Sequence, residues 1–294
     1  MGLRIRTNVQ SINAQRRLGE STRASGESME KMSSGYRINK SADDAAGLAI
    51  SEKMKAGIRS EKQAKRNAND GVSMLQVTEG AMNEVSNILV RMRELATQAA
   101  SDTVSNTERE FSNREYQQLI EEVDRISNAT DFSGIKMLKG EIESFSDGEK
   151  STDSLSESLT IHVGKGDGSN ENTDTITIDT ESVRMDTGSL GIADTNISEG
   201  REVAAENINT IDAALNSVAS TRATIGAKQN RLLSTIRNLE VSIENQSAAN
   251  SRIRDVDYAS ESAEMTQQNI LKQGGASVLA QANSAPELAL GLLR

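Results

Sequence analysis

Two stretches of this chain carry seam positions in an unbroken three-four alternation. One runs Leu75, Thr78, Met82, Val85, Leu89, Met92, Ala96, Ala99; the other runs Ile208, Ile211, Leu215, Val218, Arg222, Ile225, Gln229, Leu232, Ile236, Leu239, Ile243. Such spacing holds one seam of a helix against a partner helix, as in coiled coils. A helix over residues 200–254 extends on the order of 75 Å at 1.5 Å per residue. Ordinary globular helices are several times shorter. Arg222 and Gln229 interrupt the second seam with polar groups, a device that sets register at a cost in stability.

The rest of the composition agrees with long helices and argues against one large globular core. The chain is 35 % hydrophobic and only 2 % aromatic, with no Trp. A bundle lined by Leu, Ile, Val, Met and Ala is readily built from such residues. Pro286 is the single proline, so almost nothing interrupts a helix. Cysteine is absent, which excludes a disulfide framework and thiol chemistry. No window approaches 18 apolar residues, so no membrane-spanning helix is expected. The opening MGLRIRTNVQSINAQRR lacks an apolar core and does not read as a cleaved secretory signal.

Charge is distributed unevenly along the chain. Residues 141–200 hold 3 basic and 14 acidic groups, a local charge of −11 against −10 for the whole chain. That stretch suits a strongly solvated outward face. Residues 1–40 hold 8 basic and 3 acidic groups, whereas 255–294 hold 2 and 5, so the two ends attract as paired helices. An isoelectric point near 4.9 with few aromatics speaks against nucleic-acid binding.

Residues 3–35 read as a helix whose seam is kept by Ile5, Val9 and Ile12 and then thins to Leu18 and Ala24. Asn39 to Gly47 reads as a break, with Ser41 as N-cap of the next helix, which ends near Ala100. Ser101 to Asn106 is a polar turn before a third helix bearing Tyr116, Leu119, Val123 and Ile126 on one face; Asn128 to Gly140 reads as a loop. The period then changes to two: Leu159, Ile161 and Val163, then Ile176 and Ile178, predict a short hairpin across a turn-rich connection. Val256, Ala259, Ala263, Thr266 and Ile270 continue a helical seam, and the tail ends Leu288, Leu290, Leu292, Leu293. The fold expected is mainly α, with a small inserted β-hairpin region.

Several motifs resemble bacterial flagellin. They are the opening Leu3-Arg4-Ile5-Arg6-Thr7-Asn8, the run Asn39 to Ser51, Asn67-Ala68-Asn69-Asp70-Gly71 to Ala81, Arg91-Met92-Arg93-Glu94-Leu95-Ala96, and the close from Ala282-Asn283 to Arg294. They cover roughly residues 1–140 and 200–294, and the short middle is similar to flagellins with reduced outer domains. The resemblance implies an elongated antiparallel bundle or coiled coil formed by the N- and C-terminal regions. Residues 1–42 with 255–294 then form inner filament-core helices, and 43–254 a rod-like bundle domain into which the acidic β/turn region 141–200 is inserted. The implied function is a structural subunit of the extracellular flagellar filament, secreted without a cleaved signal, with no catalysis and no cofactor. Implied partners are further copies of the chain, the flagellar export apparatus, a flagellin-specific chaperone at the C-terminal region, and junction and cap proteins. Self-assembly would fall to Ile5, Val9, Ile12, Val256, Ala263, Ile270, Leu288, Leu292 and Leu293.

The same resemblance implies a vertebrate innate immune receptor as a further partner, with Arg91, Leu95 and Glu115 at the contact. Set against this, these residues also suit a plain helix face, with Leu95 on the edge of the 75–99 seam. A hook–filament junction protein shares both ends; the Leu-Leu-Arg close and the Arg91–Ala96 motif favour flagellin. A secreted rod-like adhesin or receptor ligand would need a larger head than the roughly 60 residues of the middle. His162, the only histidine, lies on the polar face of an expected strand without an acyl-transfer motif and reads as a solvated residue. Asp167 to Asp174 resembles a calcium loop loosely, but Ile178 stands where a bidentate Glu is needed, so an acidic turn is expected.

Overall fold

The computed structural model describes the backbone of residues 7–146, 149–154, 158–166 and 174–291, and the side chains of these except 142–146, 149–154 and 285–291. The helices are α1 (Val9–Ser34), α2 (Ala45–Ala99), α3 (Asn106–Ala129), α4 (Arg201–Arg254) and α5 (Tyr258–Gly291). The strands are β1 (Ile135–Lys136), β2 (Glu141–Ser146), β3 (Glu149–Ser154), β4 (Ser158–His162) and β5 (Thr175–Asp179). The chain divides into two compact units, Met1–Ile58 with Glu244–Arg294, and Arg59–Ile243.

In the first unit α1 and α5 pair antiparallel. Ser11 Oγ donates to Asn283 Oδ1 at 2.7 Å, Ser25 Oγ to Asn269 Oδ1 at 3.2 Å, and Lys31 Nζ lies 3.8 Å from Glu261. That ion pair is the one α1–α5 salt bridge among the described residues. Buried and half-buried positions on α1 run Ser11, Ala14, Leu18, Ser21, Ala24, Ser25, Ser28, Lys31, Met32. Val9 and Ile12, expected in this seam, are instead 65 % and 58 % exposed; Ile5 lies outside the described residues. Side-chain size explains the reversal. The Cα atoms of α1 and α5 approach within 8 Å along the pair, and interaxial distance follows the side chains at the contact. Serine and alanine allow that approach, and Gly275 faces Leu18, whose Cδ1 would lie in ordinary contact with a Cβ there at 3.6 Å.

Helix ends follow local capping chemistry. Asn8 accepts from the Ser11 N–H to start α1, and Gly35 at φ 75° closes it by donating to Lys31 O. Asp44, not Ser41, caps α2: its Oδ1 accepts the Gly47 N–H at 2.8 Å. Ser41 lies a turn too early because Asp43 first gathers the Asn39 and Lys40 N–H groups. Ser105 and Glu108 form a capping box on α3. Arg109, buried, donates to Ala99 O and Ser101 O and so satisfies carbonyls at the negative end of α2.

In the second unit α2 and α4 run antiparallel, cross-linked by Lys65–Glu240, Gln229–Glu79 and Arg93–Asp212. All eight expected seam residues of α2, from Leu75 to Ala99, are buried. On α4 the column Ile211, Val218, Ile225, Leu232 is buried as expected, but its companion column is Asn207, Ala214, Thr221. The expected companions Ile208, Leu215, Arg222 and Gln229, each one residue later, are half-buried flanks, whereas Ile236 further along that expected column is buried. A helix packed by more than one neighbour buries a wider arc than a coiled-coil stripe, and the seam then moves to where small residues admit the neighbours. Tyr116, Ile120 and Val123 of α3 complete the helical core.

The β region sits on this bundle. The hairpin β4–β5 forms as the alternation predicts, and the structure pairs Leu159 with Ile178 and Ile161 with Ile176. Asn67 of α2 donates to His162 O at 3.0 Å, and Gly71 leaves room for Ile161, whose Cδ1 would lie 2.6 Å from a Cβ there. A three-stranded antiparallel sheet in the order β1–β2–β3 was not expected; it begins within the anticipated loop and continues beyond it. Residues 183–197 form a strap that buries Met185, Ile192 and Ile197 in the core. Tyr116 hydroxyl to Thr195 Oγ1 at 2.9 Å and Asp124 to Thr187 at 2.9 Å hold it on α3.

Leu232 has no solvent exposure and Leu233 is 41 % exposed. Leu232→Ala is expected to cost about 2–5 kcal/mol in urea unfolding, and Leu233→Ala within about 0.5 kcal/mol of zero. The Arg93 hydrogen bond holds the Asp212 carboxyl below its ordinary range. A depressed carboxylate stabilises the fold above the unfolded-state value near 4 and loses that contribution as pH falls through the folded value. The urea midpoints of wild type and Asp212→Asn should therefore differ at pH 7 and converge towards pH 2.5.

Candidate functional site

Large apolar side chains left outside the α1–α5 seam form the first candidate surface. Val9, Ile12 and Met29 of α1 and Ile270, Leu271 and Val278 of α5 are all exposed, Ile270 at 64 %. The two helices border a groove of about 1200 Å³, lined by Gln10, Arg17, Ile270, Leu271 and Val278 among others. Apolar residues at this density on one helix pair mark an interaction surface rather than scattered surface hydrophobics. Ala263 is exposed on α5. Val256 stands apart: it is half-buried, and its N–H donates to Gly35 O at 3.0 Å. Leu288 lies within α5 but its side chain, like Leu292 and Leu293 altogether, falls outside the described residues. Met29, Leu271 and Val278 were missed in the sequence because they belong to no seam.

The second candidate surface gathers α2 and α3. Arg91 Nε donates to Glu115 Oε1 at 2.9 Å and Nη1 to Glu94 Oε2 at 2.9 Å, all three groups being well exposed. Glu94 first, then Glu115, push the Arg91 guanidinium above the ordinary arginine range. The structure thus joins Arg91 to Glu115 across two helices, as expected. It does not offer Leu95 with them. Leu95 is 3 % exposed and packs in the hydrophobic core. Its burial agrees with the reading of Leu95 as an apolar contact on the edge of the 75–99 seam and does not present it as a receptor contact. The exposed apolar groups near this cluster are Val90 of α2 and Phe111 of α3, the latter with the Arg114 guanidinium 5.5 Å from its ring.

The remaining sequence candidates carry no reaction chemistry in their described surroundings. His162 is half-buried rather than fully solvated, with Nε2 3.1 Å from Gly166 O. Residues 167–173 of the loose calcium-like loop lie outside the described residues. Among the described residues no cluster of His, Asp and Glu is arranged to hold a metal ion, and no helix is long and apolar enough to cross a membrane.

Residues 5–143 match the bacterial flagellin N-terminal helical region, and residues 208–293 match the bacterial flagellin C-terminal helical region. The chain is 42 % identical over 290 residues to a flagellin of Halalkalibacterium halodurans, covering 99 % of both chains. It is 39 % identical to the flagellin of Bacillus subtilis over 313 residues, covering 99 % of this chain and all of the other. It is also 39 % identical over 299 residues to the flagellar filament 33 kDa core protein of Treponema phagedenis, covering 99 % of each. The matched regions carry α1 to α3 at one end and most of α4 with α5 at the other, so both candidate surfaces lie within them. The chain belongs to the bacterial flagellin family.

Proposed function

We propose that this protein is a structural subunit that polymerises into the bacterial flagellar filament outside the cell and catalyses no reaction. The observation that carries the reading is the α1–α5 pair, whose fully buried seam positions are small or polar while Val9, Ile12, Met29, Ile270, Leu271 and Val278 are exposed. A surface of that kind is satisfied by further copies of the chain packed side by side. In this reading residues 1–42 with 255–294 form the inner filament layer and 43–254 the outer bundle, with the charged side chains of the acidic 141–200 region on its solvated side while β5 and residues 183–197 pack into the core. Export through the flagellar apparatus, a chaperone on the C-terminal region, and junction and cap proteins at the filament ends follow from the same role.

Assembly tests this directly. Purified wild-type protein should form tubes under a precipitating salt, visible by negative stain. Ile270→Asp places a charge on an exposed position, so it should leave thermal melting unchanged and abolish tube formation. Removal of residues 255–294 should do the same to assembly while unit 59–243 still melts cooperatively. Normal tubes from either variant would overturn the reading.

The Arg91–Glu115 pair supports recognition of the monomer by a vertebrate innate receptor. Arg91→Ala and Glu115→Ala should each weaken receptor activation by about ten-fold, within the range of interface hot spots, without loss of helix content. Leu95→Ala should instead lower stability by about 2–5 kcal/mol, as a core truncation. Equal activation by Arg91→Ala and wild type would leave the cluster a purely structural role.

A further inference from the structure

The two halves of the chain interrupt their helices at the same level. α1 stops at Ser34 and α4 at Arg254, and residues 35–37 and 254–256 then lie side by side, antiparallel. Arg37 N–H donates to Arg254 O at 2.7 Å, Val256 N–H donates to Gly35 O at 3.0 Å, and Tyr36 faces Asp255 in a single β-bridge. Side chains close the joint further. Arg37 Nη2 donates to Ile253 O at 2.7 Å, and Tyr258 hydroxyl to Met32 O at 2.8 Å. Arg254 stacks over the Tyr36 ring at 4.7 Å and pairs with Glu52. Each segment alone is a short gap between helices with free backbone torsions; bonded together they form one element.

That element stands at one end of a pair that specifies its own alignment poorly. The described α1–α5 seam combines serine and asparagine hydrogen bonds with the half-buried side chains of Leu18, Met265 and Leu279, none of them fully buried. In coiled coils the large knobs and a few polar positions set register. Two Ser–Asn bonds, Ser11–Asn283 and Ser25–Asn269, and a few half-buried knobs hold that alignment less firmly than a fully buried apolar row would. Which outward apolar residues line up across the pair nevertheless depends on that alignment.

We propose that the 35–37/254–256 bridge sets the register of α1 against α5, with Arg37 and Arg254 as positioning residues for filament assembly. The proposal rests on the filament-subunit reading. The bridge anchors residues 32 and 258 beside one another, and Ser25–Asn269 and Ser11–Asn283 follow down the pair from that fixed start. Because every backbone bond of the bridge crosses between the two segments, loosening one segment loosens the other.

The test uses the full chain assembled into filaments. The natural sequence has no cysteine, so an introduced pair reports without background. Ser25→Cys with Asn269→Cys should cross-link readily in the wild-type background. With Arg37→Ala and Arg254→Leu added, that cross-link should fall at least five-fold while Ser25→Cys with Met265→Cys or Lys272→Cys gains yield. Amide exchange read on the same filaments should rise at least ten-fold at residues 254–257 in Arg37→Ala alone, across the bridge from the change. Arg37 is exposed, so this single variant serves if Arg254→Leu does not assemble. Unchanged 25–269 cross-linking together with unchanged exchange at 254–257 would overturn the proposal. Failure of the wild-type background to form filaments would instead overturn the filament reading, so the two failures are distinguishable.

Discussion

Side-chain size along the helix seams governs this structure. Where Leu75, Met82, Val85, Leu89 and Met92 point inward from α2, burial of large apolar groups drives helix association and closes a dry core with α3 and α4. Where Ser11, Ser25 and Ser28 point inward from α1, the backbones come close and hydrogen bonds to asparagines replace hydrophobic contact. One chain therefore contains both a self-sufficient core and a helix pair whose apolar surface is left on the outside. That division separates what holds the subunit together from what is free to contact other molecules.

Polar groups do the positioning work around the apolar core. Arg109 ties the end of α2 to the start of α3 through two backbone carbonyls, with its charge beside the negative end of the helix. Asn67 and Gly71 seat the β4–β5 hairpin on α2, one by a hydrogen bond and one by having no side chain. Asp124, Asn113 and Tyr116 hold the 183–197 strap on α3. A strap without regular secondary structure carries many backbone groups that need partners when buried. The side chains of α3 supply several of them, which lets Met185, Ile192 and Ile197 enter the core.

The Arg91 cluster illustrates how one helix serves two purposes. Met92, Leu95 and Ala96 turn inward and are buried, while Val90, Arg91 and Glu94 turn outward. Arg91 is held between two carboxylates from different helices, so its guanidinium is oriented before any partner arrives. Arg93 is committed to Asp212 of α4 and belongs to the fold instead.

Periodicity in the sequence was enough to determine the long helices, the buried face of α2, the Ile211–Leu232 column of α4, Tyr116 and Val123 of the α3 face and the existence of the β4–β5 hairpin. Each is a repeating pattern of apolar residues whose period matches one backbone geometry, and such a pattern admits one buried face. The tertiary structure alone decided three other matters. It placed Ser11, Ser25 and Ser28 inside the α1–α5 pair and Val9 and Ile12 outside, because close backbone approach favours small side chains over large ones. It shifted the second column of α4 to Asn207, Ala214 and Thr221, because a helix with several neighbours hides a wider arc than a two-helix seam. It folded residues 183–197 into the core, since their burial depends on hydrogen bonds from distant α3 residues that leave no local period to read.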